Sequence, residues 1–190
     1  MNKFSDVNED YFSKLIQVKN FLQDKSSIAG MGQIVVSSKE KPIVGTTALA
    51  TCWGIVFYDR KNKKAYVGHA APSVYMKTLN QMINMLDPST EQIEYCIVPG
   101  WDNYHGFGTK TVNLNLCDEE KNPEYHMQLT LENSSKFHFT PLRFDLKIKE
   151  NGKYGNYFYE FAFDANTLTN VADYLFFDTP TLETDKWKKM

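Results

Sequence analysis

The alternation of apolar and polar positions divides the chain into two helical stretches and a longer half that is rich in strands. Apolar residues recur every three or four positions through "SDVNEDYFSKLIQVKNFLQDK", which predicts an amphipathic helix that packs on the domain. Asp6, followed by Glu9, predicts a capping box at the start of that helix. The same spacing in "SVYMKTLNQMINML" predicts a second helix that ends at Asp87 and Pro88.

Strand patterns account for most of the remaining chain. The segments "CWGIVFYD" and "KAYVGHA" flank the polar turn "RKNKK" and predict an antiparallel hairpin. Further strands are predicted at "QIVVSS", "QIEYCIV", "TVNLNL", "YHMQLTL", "FHFTPLRFDLKIK" and "NYFYEFAFD". The Asn151-Gly152 pair predicts a hairpin turn, and "ANTLTNVADYLF" predicts a short closing helix.

The order of these elements predicts the fold class. A helix, a hairpin, a second helix and then consecutive antiparallel strands indicate an α+β protein, which we expect to be a mainly antiparallel β-sandwich flanked by helices. A chain of 190 residues is long enough for one domain with a substantial core. Residues 1–190 are therefore predicted to form a single domain, with residues 1–30 as an N-terminal helix and connection packed on it. The oligomeric state stays open.

Charge and cysteine content narrow the classes of partner. The net charge is -2 and no basic stripe is present, which argues against nucleic acid or a membrane surface as partner. The N-terminus has no Sec-type signal pattern, so we expect a cytoplasmic location in the producing cell. Three irregularly spaced cysteines (Cys52, Cys96 and Cys117) predict reduced thiols rather than a disulfide framework or a zinc site. No metal and no cofactor is expected.

A cysteine and a histidine frame the predicted hairpin. Cys52 and His69 lie roughly equidistant from its turn, so antiparallel pairing brings them to the same end of the sheet. A thiol has a pKa of about 8.5 and needs an adjacent base to act as a nucleophile at neutral pH. Small residues before the cysteine leave room for a substrate carbonyl, and the Cys52 amide is a candidate oxyanion donor. The alternative is that Cys52 is only a small buried core residue.

The segments "TTALATCWGIVFYD" and "VGHAAP" resemble the active-site core of the chemoreceptor glutamine deamidases, the CheD family. The resemblance implies that Cys52 is the nucleophile, that His69 is the base and that Thr46 orients the histidine. The Leu-x-x-Cys turn that ends at Cys52 also resembles the cytotoxic necrotizing factor catalytic domain and the Burkholderia lethal factor. Ala50 and Thr51 stand where the chemotaxis family has glycine and serine.

The resemblance implies a CheD-like deamidase fold and a cysteine-dependent hydrolysis of protein glutamine to glutamate with release of ammonia. The implied partner is a protein substrate that bears a glutamine, and we expect a bacterial toxin or effector that acts on a host protein after delivery to the host cytosol. One alternative is a chemoreceptor deamidase of the producing cell. Another is a catalytically inactive binding domain of the same fold. The target protein, its glutamine and the delivery route stay open.

Other side chains are weaker candidates. The loop at residues 101–108 offers Asp102 and His105 and is either a substrate-recognition rim or a structured loop that covers a sheet edge. We expect His126 and His138 to be ordinary strand residues and Cys96 to be a core thiol.

Overall fold

The computed structural model describes residues 3–102, 123–153 and 156–177, and four helices and two β-sheets lie wholly within these residues. The helices are α1 (Lys3–Asp24), α2 (Tyr75–Met85), α3 (Pro123–Glu132) and α4 (Ala172–Leu175). The strands are β1 (Ser26–Ala29), β2 (Ile34–Val36), β3 (Ile43–Leu49), β4 (Trp53–Asp59), β5 (Lys64–Ala70), β6 (Gln92–Pro99), β7 (His138–Pro141), β8 (Lys149–Lys153) and β9 (Asn156–Asp164). The predicted α+β class is confirmed.

The two sheets are mostly antiparallel. The first sheet has the strand order β1-β3-β9-β8, and the second has the order β2-β5-β4-β6-β7. Two pairs at the edges, β1 with β3 and β6 with β7, are parallel. The predicted hairpin of β4 and β5 is confirmed, and so are β2, β6, β9 and helix α2.

Strand β4 is buried on both faces because it lies between two apolar layers. Its side chains alternate, since successive residues of a strand point to opposite sides. Val56 and Tyr58 join a cluster that both sheets share, which we call the inter-sheet cluster. Its buried members are Ala29, Val44, Leu49, Cys52, Val56, Tyr58, Ala65, Val67, Val98, Phe161, Phe163 and Ala165. Ile55 and Phe57 point the other way and pack in a second cluster with Leu79 of α2.

Helix α1 differs from its prediction at its start. The helix already includes Lys3, so Asp6 lies within it and the predicted capping box is wrong. Leu22, near the end of the helix, packs against a small cluster that contains Ile43 and Val171. Several other apolar side chains of the helix are exposed, namely Tyr11, Ile16, Val18 and Phe21. No described helix is long and apolar enough to cross a membrane.

The segment "YHMQLTL" was predicted as a strand and forms helix α3 instead. Met127 and Leu131 are its buried residues, and their spacing of four places both on one helical face. The segment is therefore a helix, although its apolar and polar residues alternate as they would in a strand. The expectation that His126 is a strand residue is wrong for the same reason, since His126 lies on α3, where its Nδ1 is 3.3 Å from the Tyr75 hydroxyl.

Two further predictions need correction. Of "FHFTPLRFDLKIK", only His138–Pro141 and the last residue, Lys149, belong to strands. Asn151 and Gly152 do not form the hairpin turn; they lie inside β8, opposite Phe158 and Tyr157 of β9. Strands β8 and β9 nevertheless pair in antiparallel fashion, as the predicted hairpin requires. The predicted strand "TVNLNL" lies outside the described residues.

Strands β1 and β3 were not predicted, and both support the candidate site. They pair in parallel, with Ala29 opposite Thr46. Parallel neighbours are not joined by a short turn, so a local pattern of residues gives little indication of their pairing. Only the folded chain brings Ala29 beside Thr46.

Candidate active site

His69 lies near the end of β5 and points into the layer between the sheets. Its partner across the β4–β5 hairpin is Gly54, and the preceding pair on the same face is Val56 with Val67. Both valines belong to the inter-sheet cluster, so the alternation of strand residues directs the imidazole into the same layer. The side chain is almost completely buried, with 2% of its surface exposed.

Thr46 connects the imidazole to the opposite sheet. Its hydroxyl donates a hydrogen bond to the Ala29 carbonyl at 2.8 Å and lies 2.9 Å from His69 Nδ1. A threonine hydroxyl has one proton, which is already given to Ala29, so the contact with His69 requires that Nδ1 carries a proton and donates it. The neutral imidazole then has its lone pair on Nε2. The arrangement therefore selects the tautomer in which Nε2 is the base.

The Nε2 atom of His69 is buried, and among the described residues it has no hydrogen-bond partner. Leaving a buried acceptor unsatisfied costs about 1–3 kcal/mol, and most buried polar atoms avoid this cost. A histidine that served only the packing of the core would have no reason to carry this cost. The unpaired nitrogen is therefore the feature of the site that most needs a functional explanation.

Burial keeps both members of the cysteine–histidine pair neutral. Burial lowers the pKa of His69, and the Ala29 backbone acts in the opposite direction. Burial raises the pKa of the Cys52 thiol, and a hydrogen bond from the Thr51 side chain partly opposes that rise. The low dielectric of the layer disfavours the charged form of each group. Both pKa shifts favour a thiol and a neutral imidazole over a thiolate–imidazolium pair.

Cys52 lies in the bend between β3 and β4 and is 6% exposed. It belongs to the inter-sheet cluster, two positions before Gly54, the residue opposite His69. The structure thus brings Thr46, Cys52 and His69 to one end of the inter-sheet layer. Within the described part of the chain no hydrogen bond joins the Cys52 sulfur to His69 Nε2. Such bonds commonly tighten only when substrate is bound.

The backbone before Cys52 is held in an unusual conformation. Ala48 has φ 60°, a left-handed value that is costly for a residue with a Cβ. The Ala50 amide donates to the Ala48 carbonyl at 3.0 Å, and the Ala50 carbonyl accepts from the Asp102 amide at 3.0 Å. Gly100 lies so close that a Cβ there would stand 2.2 Å from the Ala50 oxygen. Contacts with neighbouring backbone thus hold the backbone at Ala50 and Thr51 in place. These are the positions at which the chemotaxis family has glycine and serine.

An aromatic pair lies beside this turn. The Trp101 ring stacks on Tyr157 with centroids 5.0 Å apart and an interplanar angle of 22°. Gly100 and Asp102, on either side of Trp101, contact the Ala50–Cys52 backbone, so the pair stands next to the cysteine. Tyr157 is 49% exposed. Of the loop predicted at residues 101–108, Trp101 and Asp102 are helical, while His105 lies outside the described residues.

The remaining candidates are not part of this site, although Cys96 packs against the inter-sheet cluster. Cys96 is half-buried, and burial raises the pKa of its thiol to about 11, with Glu124 contributing in the same direction. His138 is an exposed residue of β7, as expected for an ordinary strand residue. Cys117 lies outside the described residues. Within residues 3–102, 123–153 and 156–177 no group of three His, Cys, Asp or Glu side chains is suited to hold a metal ion.

Sequence reasoning missed Glu160, which lies on β9 and is 2% exposed. Its carboxylate accepts a hydrogen bond from the Thr47 hydroxyl at 2.8 Å and one from the Asn151 amide at 3.2 Å. Lys149 Nζ is 3.6 Å away. One signal was available, because Glu160 is the single charged residue between Asn156 and Phe163 in an otherwise aromatic strand.

Comparison with known proteins assigns no family to this chain. No family model matches the chain, and no curated protein matches it. The functional interpretation is therefore carried by the residues of the site.

Proposed function

We propose that this protein is a cysteine-dependent protein-glutamine deamidase of the CheD-like superfamily. Cys52 is the nucleophile, His69 is the general base and acid, and Thr46 orients the imidazole. The substrate is a glutamine side chain on another protein, and the products are glutamate and ammonia. The motif around Cys52 and the two-sheet α+β architecture support the same superfamily and its fold.

The observation that carries the proposal is the buried, unpaired Nε2 of His69. The Thr46 hydroxyl, which is itself committed to Ala29, leaves the lone pair on that nitrogen. The lone pair lies in the layer that also holds the Cys52 thiol. A base held in one tautomer and directed into the layer that holds a thiol suits acyl transfer by cysteine.

In the first half-reaction His69 Nε2 takes the proton of the Cys52 thiol as the sulfur attacks the glutamine carboxamide carbon. The carbonyl oxygen gains the negative charge, and the Cys52 backbone amide is the candidate donor that stabilises it. His69 then gives its proton to the departing nitrogen. Ammonia leaves and a thioester remains on Cys52. A neutral thiol and a neutral imidazole suit this order of steps, because the proton moves only when the sulfur attacks.

In the second half-reaction water replaces the amine. His69 Nε2 takes a proton from the water molecule, and the oxygen of that water attacks the thioester carbon. The carbon–sulfur bond breaks, the proton returns from His69 to the sulfur, and glutamate is released. The protons balance within the pair, so the cycle needs no metal ion or organic cofactor.

The biological role that we propose is that of a bacterial effector acting on a host protein. A protein substrate must reach a thiol that is almost buried, so the surface around the cysteine turn selects it. The stacked pair of Trp101 and Tyr157 is a suitable anchor for such a contact, since aromatic residues dominate binding energies at protein interfaces.

The decisive experiment is a search for converted glutamine. Cell lysate is incubated in water labelled with heavy oxygen, once with the wild-type protein and once with Cys52→Ala. Mass spectrometry then identifies glutamate that has taken up label at positions encoded as glutamine. Labelled sites that occur only with the wild type support the proposal, and identical site lists for the two proteins contradict it.

The matched control removes a different thiol. Cys96→Ala lacks a half-buried cysteine of β6 that lies opposite Val56 and has no proposed role, so it should give the wild-type pattern of labelled sites. Comparing lysate from a possible host with lysate from a motile bacterium then separates the two biological roles. Sites in a host protein support an effector, whereas sites in chemoreceptors support a housekeeping enzyme.

A further inference from the structure

The residues that connect Thr46 to Cys52 contain a β-bulge. Along the β3–β9 ladder Thr46 pairs with Phe161 and Leu49 pairs with Tyr159. Two residues of β3, Thr47 and Ala48, therefore lie opposite the single residue Glu160. An extra residue on one strand defines a bulge, and bulges commonly redirect a side chain beside a functional site.

The bulge is needed because Thr46 and Leu49 point to the same face. In a regular strand, residues three positions apart point to opposite faces. Both side chains are fully buried, and both reach the inter-sheet layer, where Thr46 bonds to His69 and Leu49 packs in the inter-sheet cluster. Without the extra residue, one of the two would turn away from that layer. The bulge thus sets how the threonine that holds the base and the turn that carries the nucleophile lie relative to each other.

The carboxylate of Glu160 holds the bulge from the outer face of the sheet. It accepts a hydrogen bond from Thr47, one of the two bulged residues, at 2.8 Å. Two residues of β8 fix the carboxylate in turn, since Asn151 donates to it at 3.2 Å and Lys149 Nζ is 3.6 Å away. The other bulged residue, Ala48, has the left-handed φ of 60°. A strained backbone of this kind persists only when its surroundings hold it in place.

We propose that Glu160 is a positioning residue for the Cys52–His69 pair and acts through the Thr47 hydroxyl on the bulge between Thr46 and Cys52. The inference rests on the proposed function, because it assigns a role toward that pair. Glu160 does not touch the substrate. Its effect is to keep the nucleophile turn at the distance and angle from the imidazole at which the thiol proton can be transferred. A displacement of about 1 Å in such a constellation can cost about 100-fold in rate.

The test measures how strongly the alkylation rate of Cys52 depends on His69. Iodoacetamide alkylation of Cys52 is followed by mass spectrometry in the wild type and in Thr47→Val, each with and without His69→Asn. The double-mutant cycle isolates the coupling of the two residues from any general change in exposure. In the wild type we expect His69→Asn to slow the alkylation of Cys52 by about 100-fold, within the range of general-base catalysis. In Thr47→Val we expect the same change to slow it by less than about threefold.

A conservative variant and a second thiol separate positioning from loss of structure. Thr47→Ser keeps the hydroxyl, so its Cys52 alkylation rate should depend on His69 as fully as that of the wild type. Glu160→Gln should weaken this dependence, as Thr47→Val does. Cys96 is half-buried, so its alkylation rate reports general opening and should be the same in every folded variant. A faster reaction of Cys96 together with lost coupling would show a merely structural effect and would overturn the proposal.

Failure of the inference and failure of the proposed function are distinguishable. If His69→Asn leaves the alkylation of wild-type Cys52 unchanged, the base assignment is wrong and both are overturned. If the wild type depends on His69 and Thr47→Val depends on it equally, only the positioning role of Glu160 is overturned. Equal loss of coupling in Thr47→Ser and Thr47→Val would also overturn it, because the serine retains the hydroxyl that the proposal requires.

Discussion

Thr46 and His69 lie on opposite sheets and meet through a hydrogen bond of 2.9 Å between the threonine hydroxyl and Nδ1. Because the hydroxyl proton goes to Ala29, this contact fixes both the orientation and the tautomer of the imidazole. The same bond links the two sheets at the end that holds Cys52. The link between the sheets and the proposed chemistry therefore depend on one threonine side chain.

Replacing Thr46 tests this relationship directly. Thr46→Val keeps the shape but leaves the Nδ1 proton and the Ala29 carbonyl unsatisfied, so we expect a loss of about 1–3 kcal/mol in the free energy of unfolding. We also expect the imidazole to lose its single tautomer, which nitrogen NMR of labelled histidine detects. Thr46→Ser should retain the tautomer and most of the activity. A wild-type tautomer in Thr46→Val would contradict the assignment.

The lowered pKa of His69 makes stability depend on pH in a defined direction. In the unfolded chain the imidazole gains its proton near its ordinary pKa of 6.5, whereas burial delays protonation in the folded protein to lower pH. The unfolded state thus binds more protons in that window, so the free energy of unfolding falls as the pH drops below 6.5. Urea unfolding at several pH values measures this change in the free energy of unfolding. The difference between the wild type and His69→Asn isolates this group and should become flat about one pH unit above 6.5.

The raised pKa of Cys52 predicts the pH profile of its reactivity. In His69→Asn, which lacks the base, burial holds the thiol protonated beyond its ordinary pKa, so the alkylation rate of Cys52 should still be rising at pH 9. Cys96, whose pKa is raised to about 11, is the internal reference and should rise later still. A plateau of the Cys52 rate near neutral pH in His69→Asn would contradict the raised pKa of the thiol.

Gly100 is predicted to be indispensable for the cysteine turn. A methyl group there would meet the Ala50 oxygen at 2.2 Å and the Cys52 oxygen at 2.6 Å, and both are backbone atoms that cannot rotate away. We expect Gly100→Ala to displace the turn and to lower deamidation by about 100-fold, the effect of a displacement of about 1 Å. Gly30→Ala is the control, because its methyl group would meet only the end of the Gln33 side chain at 3.3 Å. Equal activity of the two variants would argue against a fixed turn.

Glu94 provides a stability test at a position on β6 that is separate from the proposed triad. Its buried carboxylate accepts hydrogen bonds from Arg60 at 2.6 and 3.0 Å and from the Arg143 amide at 3.0 Å, and these bonds hold its pKa below the ordinary value. We expect Glu94→Gln to lower the free energy of unfolding by about 1–3 kcal/mol. The dependence of Cys52 alkylation on His69 should be unchanged. A loss of that dependence would show that the site is sensitive to any weakening of the fold.

The sequence predicted elements well where the pattern was local. The β4–β5 hairpin follows from two apolar runs around a polar turn, and its register places His69 opposite Gly54, two residues after Cys52. Prediction failed where tertiary contacts decide the structure. The segment around Met127 alternates like a strand, yet burial of Met127 and Leu131 on one face makes it a helix. Asn151 and Gly152 are typical turn residues, yet pairing with β9 places them inside β8.

The sequence by itself determined the α+β class, the hairpin and the candidate residues Thr46, Cys52 and His69, because hydrophobic periodicity and a short motif are local properties. Only the tertiary structure decided which atoms meet. The parallel pairing of β1 with β3 brings the Ala29 carbonyl to Thr46, and the packing of the two sheets brings that hydroxyl to His69. The tautomer, the unpaired Nε2 and the bulge held by Glu160 all arise from contacts between strands distant in the chain, and no local pattern encodes them.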